Sequence, residues 1–227
     1  MLNWKQFFDL KLARGHSFLA SLVTPGGLVI DAGAHRCEFA NQLAVKYGAR
    51  IISLEPNSEL RVGSLAENVT LLRAALAGKD GEAEFSISTN PEASSLIRRC
   101  PSGRARTQIV PTRSLTSLFA EFAQDGVDLV KLDVEGAEFE VLMQETAETL
   151  SRCKQISVEF HPHDARTAPD VARIEDAADR LKSLGFAVVR CSYQGYGDVL
   201  FVNKNYQVFK IKKFAPYIRK INEIFCN

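Results

Sequence analysis

The stretch LVIDAGAHRCEFA, residues 28–40, decides the fold. Leu28, Val29 and Ile30 form an apolar, β-branched run of the kind that makes a strand buried on both faces. The run ends at Asp31 and passes through the small residues Ala32, Gly33 and Ala34. Beyond them Phe39, Ala40, Leu43, Ala44 and Tyr47 recur at three- to four-residue spacing, one face of an amphipathic helix over 38–47. Buried strand, small-residue turn and helix together open a βαβ unit.

The same alternation continues downstream. RIISLEP (50–56) reads as a second strand closed by Pro56, with a helix expected over 57–68. VTLLRAALA (69–77) reads as a third strand, KDG (79–81) as a turn and EAEFSIS (82–88) as an alternating strand. The Ser-, Pro- and Arg-rich residues 89–107 read as a loop, before a short strand near 108–111 and a helix from Ser114. VDLVKLDV (127–134) and QISVEFH (155–161) are further strands. Between them a helix over 137–150 presents Phe139, Leu142, Met143, Ala147 and Leu150 on one face. Ile174, Ala177, Ala178, Leu181 and Leu184 mark another helix, and FAVVRCSY (186–193) and DVLFVNK (198–204) close the chain's pattern. The QGYG link between these last two is too short for a crossover, so they must pair antiparallel. The expectation is a doubly wound α/β domain with a mainly parallel sheet.

With 227 residues, 46% hydrophobic and 24% charged, the chain suits one globular domain with a sizeable core. A net charge of +1 gives no global bias toward nucleic acid or an anionic membrane. No apolar run approaches the ~20 residues that span a bilayer, and no signal-peptide pattern opens the chain. Five scattered cysteines, none spaced C-x-x-C, point to a reducing cytoplasm rather than a disulfide framework or zinc site. Residues 1–26 are expected as an N-terminal helical segment, 27–204 as the functional domain and 205–227 as a basic amphipathic tail.

In open α/β sheets ligands bind at the carboxyl ends of the strands. The first strand ends in Asp31-Ala32-Gly33-Ala34-His35-Arg36-Cys37, and the second in Glu55, 24 residues after Asp31. An acid about 20 residues past the first turn is placed to accept hydrogen bonds from ribose hydroxyls. A dinucleotide site wants G-x-G-x-x-G, but only Gly33 is present here. Asp31 also repels a pyrophosphate while suiting a cationic amino group. S-adenosylmethionine is therefore favoured over NAD.

These residues resemble the FkbM family of S-adenosylmethionine-dependent methyltransferases. The matching stretches are VIDAGAHRCEFA (29–40), SLEPN (53–57), RAALAGKDGEAEF (73–85), SSL (94–96), VPTRSLTSL (110–118), VDLVKLDVEGAEFEVL (127–142) and ISVEFHPH (156–163). They occur in the family's order, and the KLDVEGAE and VEFH pieces are the specific ones. The resemblance implies the class I, Rossmann-like methyltransferase fold: a seven-stranded, mainly parallel sheet with the last strand antiparallel. It also implies methyl transfer to a hydroxyl of a small molecule or sugar. Asp31, Gly33, Ala34 and, in the same turn, His35 would border the methionine end. Glu55 would hold the ribose, Pro56, Asn57 and Ala75 would lie near the adenine, and Asp133 would sit close to the transferable methyl. The family's first motif carries Asn and Gly where this chain has His35 and Cys37, and a side chain at 37 is expected to narrow the methionine pocket or shift the first helix.

Adjacent parallel strands ending in Asp133-Val134-Glu135 and Glu159-Phe160-His161 bring carboxylates and an imidazole to one edge. Asp133, Glu159 and His161 are the catalytic candidates, with His161 the expected general base because its unperturbed pKa of ~6.5 suits proton transfer near neutrality. The alternatives are a helix-capping Glu135, a paired structural Glu159 and a solvated His161. The same groups match Mg²⁺ or Mn²⁺ in chemistry, but no metal-specific spacing exists and no metal is assigned. Arg98, Arg99, Arg104, Arg106 and Arg113 suggest either a lid that recognises an anionic acceptor or a solvated loop. No nucleic-acid partner is expected. The competing functions are an NAD-dependent oxidoreductase and a non-catalytic methyltransferase-like binding module.

Overall fold

The computed structural model describes residues 9–87, 96, 106–161, 168–192 and 197–206. Its centre is β3 (Leu28–Ala32), whose residues alternate between two cores. Ile30 packs into a cluster with Leu132, Leu142, Phe119 and Phe201, while Val29 faces Phe39, Leu43, Ile51 and Phe18 on the other side. β4 (Arg50–Leu54) and β5 (Val69–Leu72) continue the sheet on one flank. β9 (Leu129–Leu132), β10 (Gln155–Val158), β12 (Val199–Asn203) and β11 (Phe186–Arg190) continue it on the other, giving the order β11-β12-β10-β9-β3-β4-β5. β12 runs antiparallel to both β10 and β11, while β3, β4, β5, β9 and β10 pair in parallel. This is the expected seven-stranded doubly wound sheet.

Helix α1 (Glu38–Tyr47) buries Phe39, Ala40, Leu43 and Ala44, and Gly48 closes it at φ 67°. Helix α2 (Leu115–Phe122) starts at Ser114, whose side chain accepts the Ser117 N–H, as expected from the sequence. The region 137–150 is two helices, α3 (Glu138–Gln144) and α4 (Ala147–Ser151). They part at Glu145, whose buried carboxylate turns away to accept the Leu115 and Thr116 N–H groups at the start of α2. Thr146 then caps α4 through the Thr149 N–H. Helix α5 (Ala168–Ser183) precedes β11.

Three expectations are corrected. Residues 57–68 form turns rather than a helix, because polar side chains capture the local backbone. Asn57 accepts the Glu59 N–H, and Asn41 of α1 both accepts from Ala66 N–H and donates to the Ser64 carbonyl. The run 69–77 divides between sheets: β6 (Ala75–Leu76) leaves β5 to pair with β8 (Arg106–Arg113), which in turn pairs with β7 (Gly81–Ile87). The N-terminal segment, expected as helical over 1–26, contains a hairpin of β1 (Leu10–Ala13) and β2 (His16–Leu19). Its two-residue turn, Arg14-Gly15, takes positive φ at both positions, the geometry that matches strand twist.

The hairpin is fastened to the sheet by polar bonds. Gln155 exchanges two hydrogen bonds with the Leu19 backbone at 2.8 and 3.0 Å, and Asp198 accepts from Ser17 N–H and Oγ. Leu10 and Leu19 pack with Val189, Leu200 and Val202. The tail beyond residue 206, and Arg98, Arg99 and Arg104 of the loop, lie outside the described residues. Among the described residues no helix is long and apolar enough to cross a membrane.

Candidate functional site

The carboxyl ends of β3, β4, β9 and β10 meet at one edge of the sheet, under the small sheet β6-β8-β7 and beside the hairpin. Between them lies a cavity of about 380 Å³, within the usual size of small-molecule sites. Of the residues selected from sequence, Gly33, Ala34, His35, Glu55, Pro56, Ala75, Asp133, Glu159 and His161 line it. Asp31 and Asn57 do not; both are buried beneath its wall.

The turn after β3 is shaped by close packing. Gly33 has φ 74°, and a Cβ there would collide with the Asp133 carbonyl, so β3 and β9 converge only because no side chain is present. His35 and Cys37 follow at φ 49° and 59°, left-handed positions at which glycine or asparagine would be less strained. Of the two expectations for Cys37, the narrowed pocket is corrected. Its fully buried thiol packs among Val29, Phe39 and Leu43 and does not border the cavity. Burial, with the Asp31 charge adding to it, pushes that thiol up to about 11.

Glu55 is buried at the tip of β4 with each carboxylate oxygen fixed. Oε2 accepts the His35 N–H and Oε1 the Asn57 N–H, both at 2.8 Å. Burial pushes its carboxyl upward against those two bonds. Asn57 thus serves by orienting Glu55. An apolar flank of Pro56, Ala75, Leu76, Phe85 and Leu96 adjoins this end, with Gln108 of β8 donating to the Pro56 carbonyl at 2.9 Å.

At the other end stands a charged cluster. The parallel register of β3 and β9 sets Asp31 beside Lys131. The Lys131 ammonium, 3% exposed, lies 3.2 Å from Asp31 and 3.3 Å from Asp133, and donates to the Gly33 carbonyl at 2.7 Å. Burial opposes its charge, but the two carboxylates overcome that and hold it protonated. Asp31 is therefore paired with Lys131 behind the cavity wall rather than on it. For Asp133, burial works upward, yet Lys131, His16 and His161 together hold the carboxyl well below the usual carboxylate range.

His16 arrives from β2, buried, with Nε2 3.3 Å from Asp133 Oδ2 and 3.8 Å from Glu159 Oε2. His161 is oriented by Glu138, whose Oε1 lies 2.9 Å from Nδ1; Glu138 also accepts the Val134 and Gly136 N–H groups. Burial works against the imidazolium. The hydrogen bond and charge of Glu138, then Glu135 and Asp133, outweigh it and raise His161 to about 9. These carboxylates therefore favour the protonated imidazole, unlike the unperturbed histidine on which the general-base expectation rests. Glu159 is 37% exposed at its side chain, and burial and the neighbouring Asp133 charge push its carboxyl upward.

Sequence reading missed His16, Lys131 and Glu138. A single lysine in one buried strand and a single aspartate in its neighbour was a usable signal for Lys131. His16 carried none, because the contact spans 117 residues.

A seven-stranded sheet in this order, with an acid at the tip of the second strand and a cavity over the carboxyl ends, is that of a class I, Rossmann-like methyltransferase. The chain belongs to the FkbM methyltransferase family: the model of the methyltransferase FkbM domain matches residues 31–188. It is also 25% identical over 209 residues to the AMB antimetabolite synthetase AmbE of Pseudomonas aeruginosa, covering 74% of this chain and 10% of that protein. The chain therefore spans about a tenth of the length of that relative. Among solved structures, it is similar to the fibrillarin pre-rRNA processing protein of Methanococcus jannaschii, at 14% identity, coverage of 87% and 71% of the two chains, and TM-score 0.42. It is also similar to the precorrin-6y C5,15-methyltransferase of Geobacter metallireducens, at 16% identity, coverage of 87% and 83%, and TM-score 0.41.

Proposed function

We propose that this chain transfers the methyl group of S-adenosylmethionine to a hydroxyl oxygen of a small molecule or sugar. The observation that carries this reading is Glu55. Both of its oxygens are held by backbone N–H groups, and each keeps a lone pair for a neighbouring hydroxyl, which suits a ribose diol. The apolar flank beside it suits an adenine ring. The turn Gly33–His35 borders the path from there toward Asp133, and Arg36 lines the cavity with positive charge for a carboxylate, Arg14 being paired with Glu38. When bound, the cofactor supplies a methyl carbon activated by its sulfonium.

The protein's part is placement and proton acceptance. Glu159, accessible and with raised basicity, takes the proton leaving the acceptor hydroxyl, while charged His161 and ionised Asp133 fix the field around it. An anionic acceptor draws support from Arg36, since Arg14 is paired with Glu38 at 2.5 Å. Arg106 and Arg113 do not line the cavity, and they are paired with Glu59 and Glu121.

Incubation with methyl-labelled S-adenosylmethionine and a panel of hydroxylated sugars and acids tests the reading. Glu159→Gln should lower kcat by at least ~10²-fold while leaving S-adenosylhomocysteine affinity intact. A Glu159→Gln protein as fast as wild type would refute the assigned base.

A further inference from the structure

The acidic end of the cavity holds more ligand-type atoms than acid–base chemistry uses. Around His161 Nε2 stand Glu135 Oε1 at 3.6 Å and Asp133 Oδ1 at 3.8 Å. These separations exceed a hydrogen bond. Two ligand atoms each ~2.1 Å from one divalent ion, at angles of ~90–120°, lie ~3.0–3.6 Å apart, so an ion would draw the two carboxylates toward His161. The three ligand atoms lie within 4.8 Å of one another.

A second observation is independent of that trio. Glu138, 1% exposed, faces the opposite nitrogen of the same imidazole at 2.9 Å, while its oxygens also accept two backbone N–H groups. A carboxylate so committed to accepting takes the Nδ1–H, and an ion that displaces the remaining proton of His161 meets Nε2 facing the trio. A buried carboxylate behind a histidine is the arrangement that orients metal-binding imidazoles. Asp133 is divided the same way. Lys131 and His16 both approach Oδ2 at 3.3 Å, leaving Oδ1 on the His161 side.

We infer that Asp133, Glu135 and His161 form a binding site for one divalent first-row cation, with Glu138 orienting His161. One imidazole and two carboxylates match Mn²⁺ or Zn²⁺ and leave coordination positions open. Those positions face the cavity beside Glu159, so the ion's role is to seat an acceptor oxygen next to its base. That role rests on the proposed methyl transfer, whereas the site itself does not. Sequence gave no spacing for this site because its ligands come from the ends of β9 and β10, 28 positions apart from Asp133 to His161.

The test is Mn²⁺ titration of the metal-stripped full chain, by calorimetry and by the paramagnetic resonance of free Mn²⁺. Wild type should bind one Mn²⁺ per chain. Glu135→Gln and His161→Ala should each weaken it at least tenfold, and Glu138→Gln by ~10–100-fold. His16→Ala, which touches only Asp133 of the three ligands, should weaken it less than His161→Ala does. Circular dichroism and S-adenosylhomocysteine binding in EDTA report whether each variant is folded. Failure of wild type to take up Mn²⁺ at millimolar concentration overturns the site. So does undiminished affinity in folded His161→Ala, or loss confined to His16→Ala. S-adenosylhomocysteine binding that persists through any of these results leaves the proposed function standing, and its absence condemns that function separately.

Discussion

Replacing Lys131 with methionine tests how the charged end of the cavity is held together. The side chain is nearly isosteric, but the ammonium that lies 3.2 Å from Asp31 and 3.3 Å from Asp133 is gone. Asp31 is fully buried, and Lys131 is the cation paired with it, so its carboxylate loses its compensation. Removing one partner of a buried pair costs about 3–5 kcal/mol, because the other charge stays behind. The Gly33 carbonyl also loses a donor at 2.7 Å. Urea unfolding at neutral pH should show Lys131→Met destabilised by about 3–5 kcal/mol. Asp31→Asn in the Lys131→Met background should then restore part of the loss, with a coupling of about 2 kcal/mol in the double-mutant cycle. A Lys131→Met protein within about 1 kcal/mol of wild type, or strict additivity of the two changes, would refute the pairing.

Three further outcomes follow from the same geometry. His161, raised from 6.5 to about 9, contributes stability that is complete below pH ~6.5 and lost as pH climbs through 9. Urea midpoints of the EDTA-treated protein should therefore fall across that window, by at most about 3 kcal/mol in free energy, and His161→Gln should flatten the fall. Glu145→Ala strips two N–H acceptor bonds from the start of α2 and should cost about 2 kcal/mol in the same assay, whereas an exposed Glu148→Ala should be near neutral. His35→Gly relieves a left-handed backbone at φ 49° and should stabilise by up to about 1 kcal/mol; a loss of stability would show that packing outweighs the strain there.

The sheet was legible because its strands are buried on both faces and so read as apolar runs: Leu28–Ile30, Ile51–Leu54 broken only by Ser53, and Leu129–Leu132 broken only by Lys131. The site was legible where strand ends carry acids, at Glu55, Asp133 and Glu159. The reading failed where side chains act at a distance. Glu145 lies inside a helical period but leaves it to cap α2, and Asn41 and Asn57 bind backbone that would otherwise have turned helical. The hairpin's strands, Leu10–Ala13 and His16–Leu19, are four residues each around Arg14-Gly15, a signal too short to displace the helical expectation for residues 1–26. That hairpin places His16 against Asp133, a contact fixed by tertiary docking through Gln155 and Asp198 rather than by any local pattern. It also lies before residue 31, where the family match begins.

The most direct test of the central claim is calorimetric titration of the full chain with S-adenosylhomocysteine, with NAD as control and Glu55→Gln as the second protein. The account predicts micromolar-range binding of the sulfur nucleotide, none of NAD, and a loss of at least ~10-fold in Glu55→Gln, since a charge-assisted hydrogen bond contributes about 1.5–3 kcal/mol. Undiminished binding in Glu55→Gln, or NAD bound as tightly as S-adenosylhomocysteine, would contradict it.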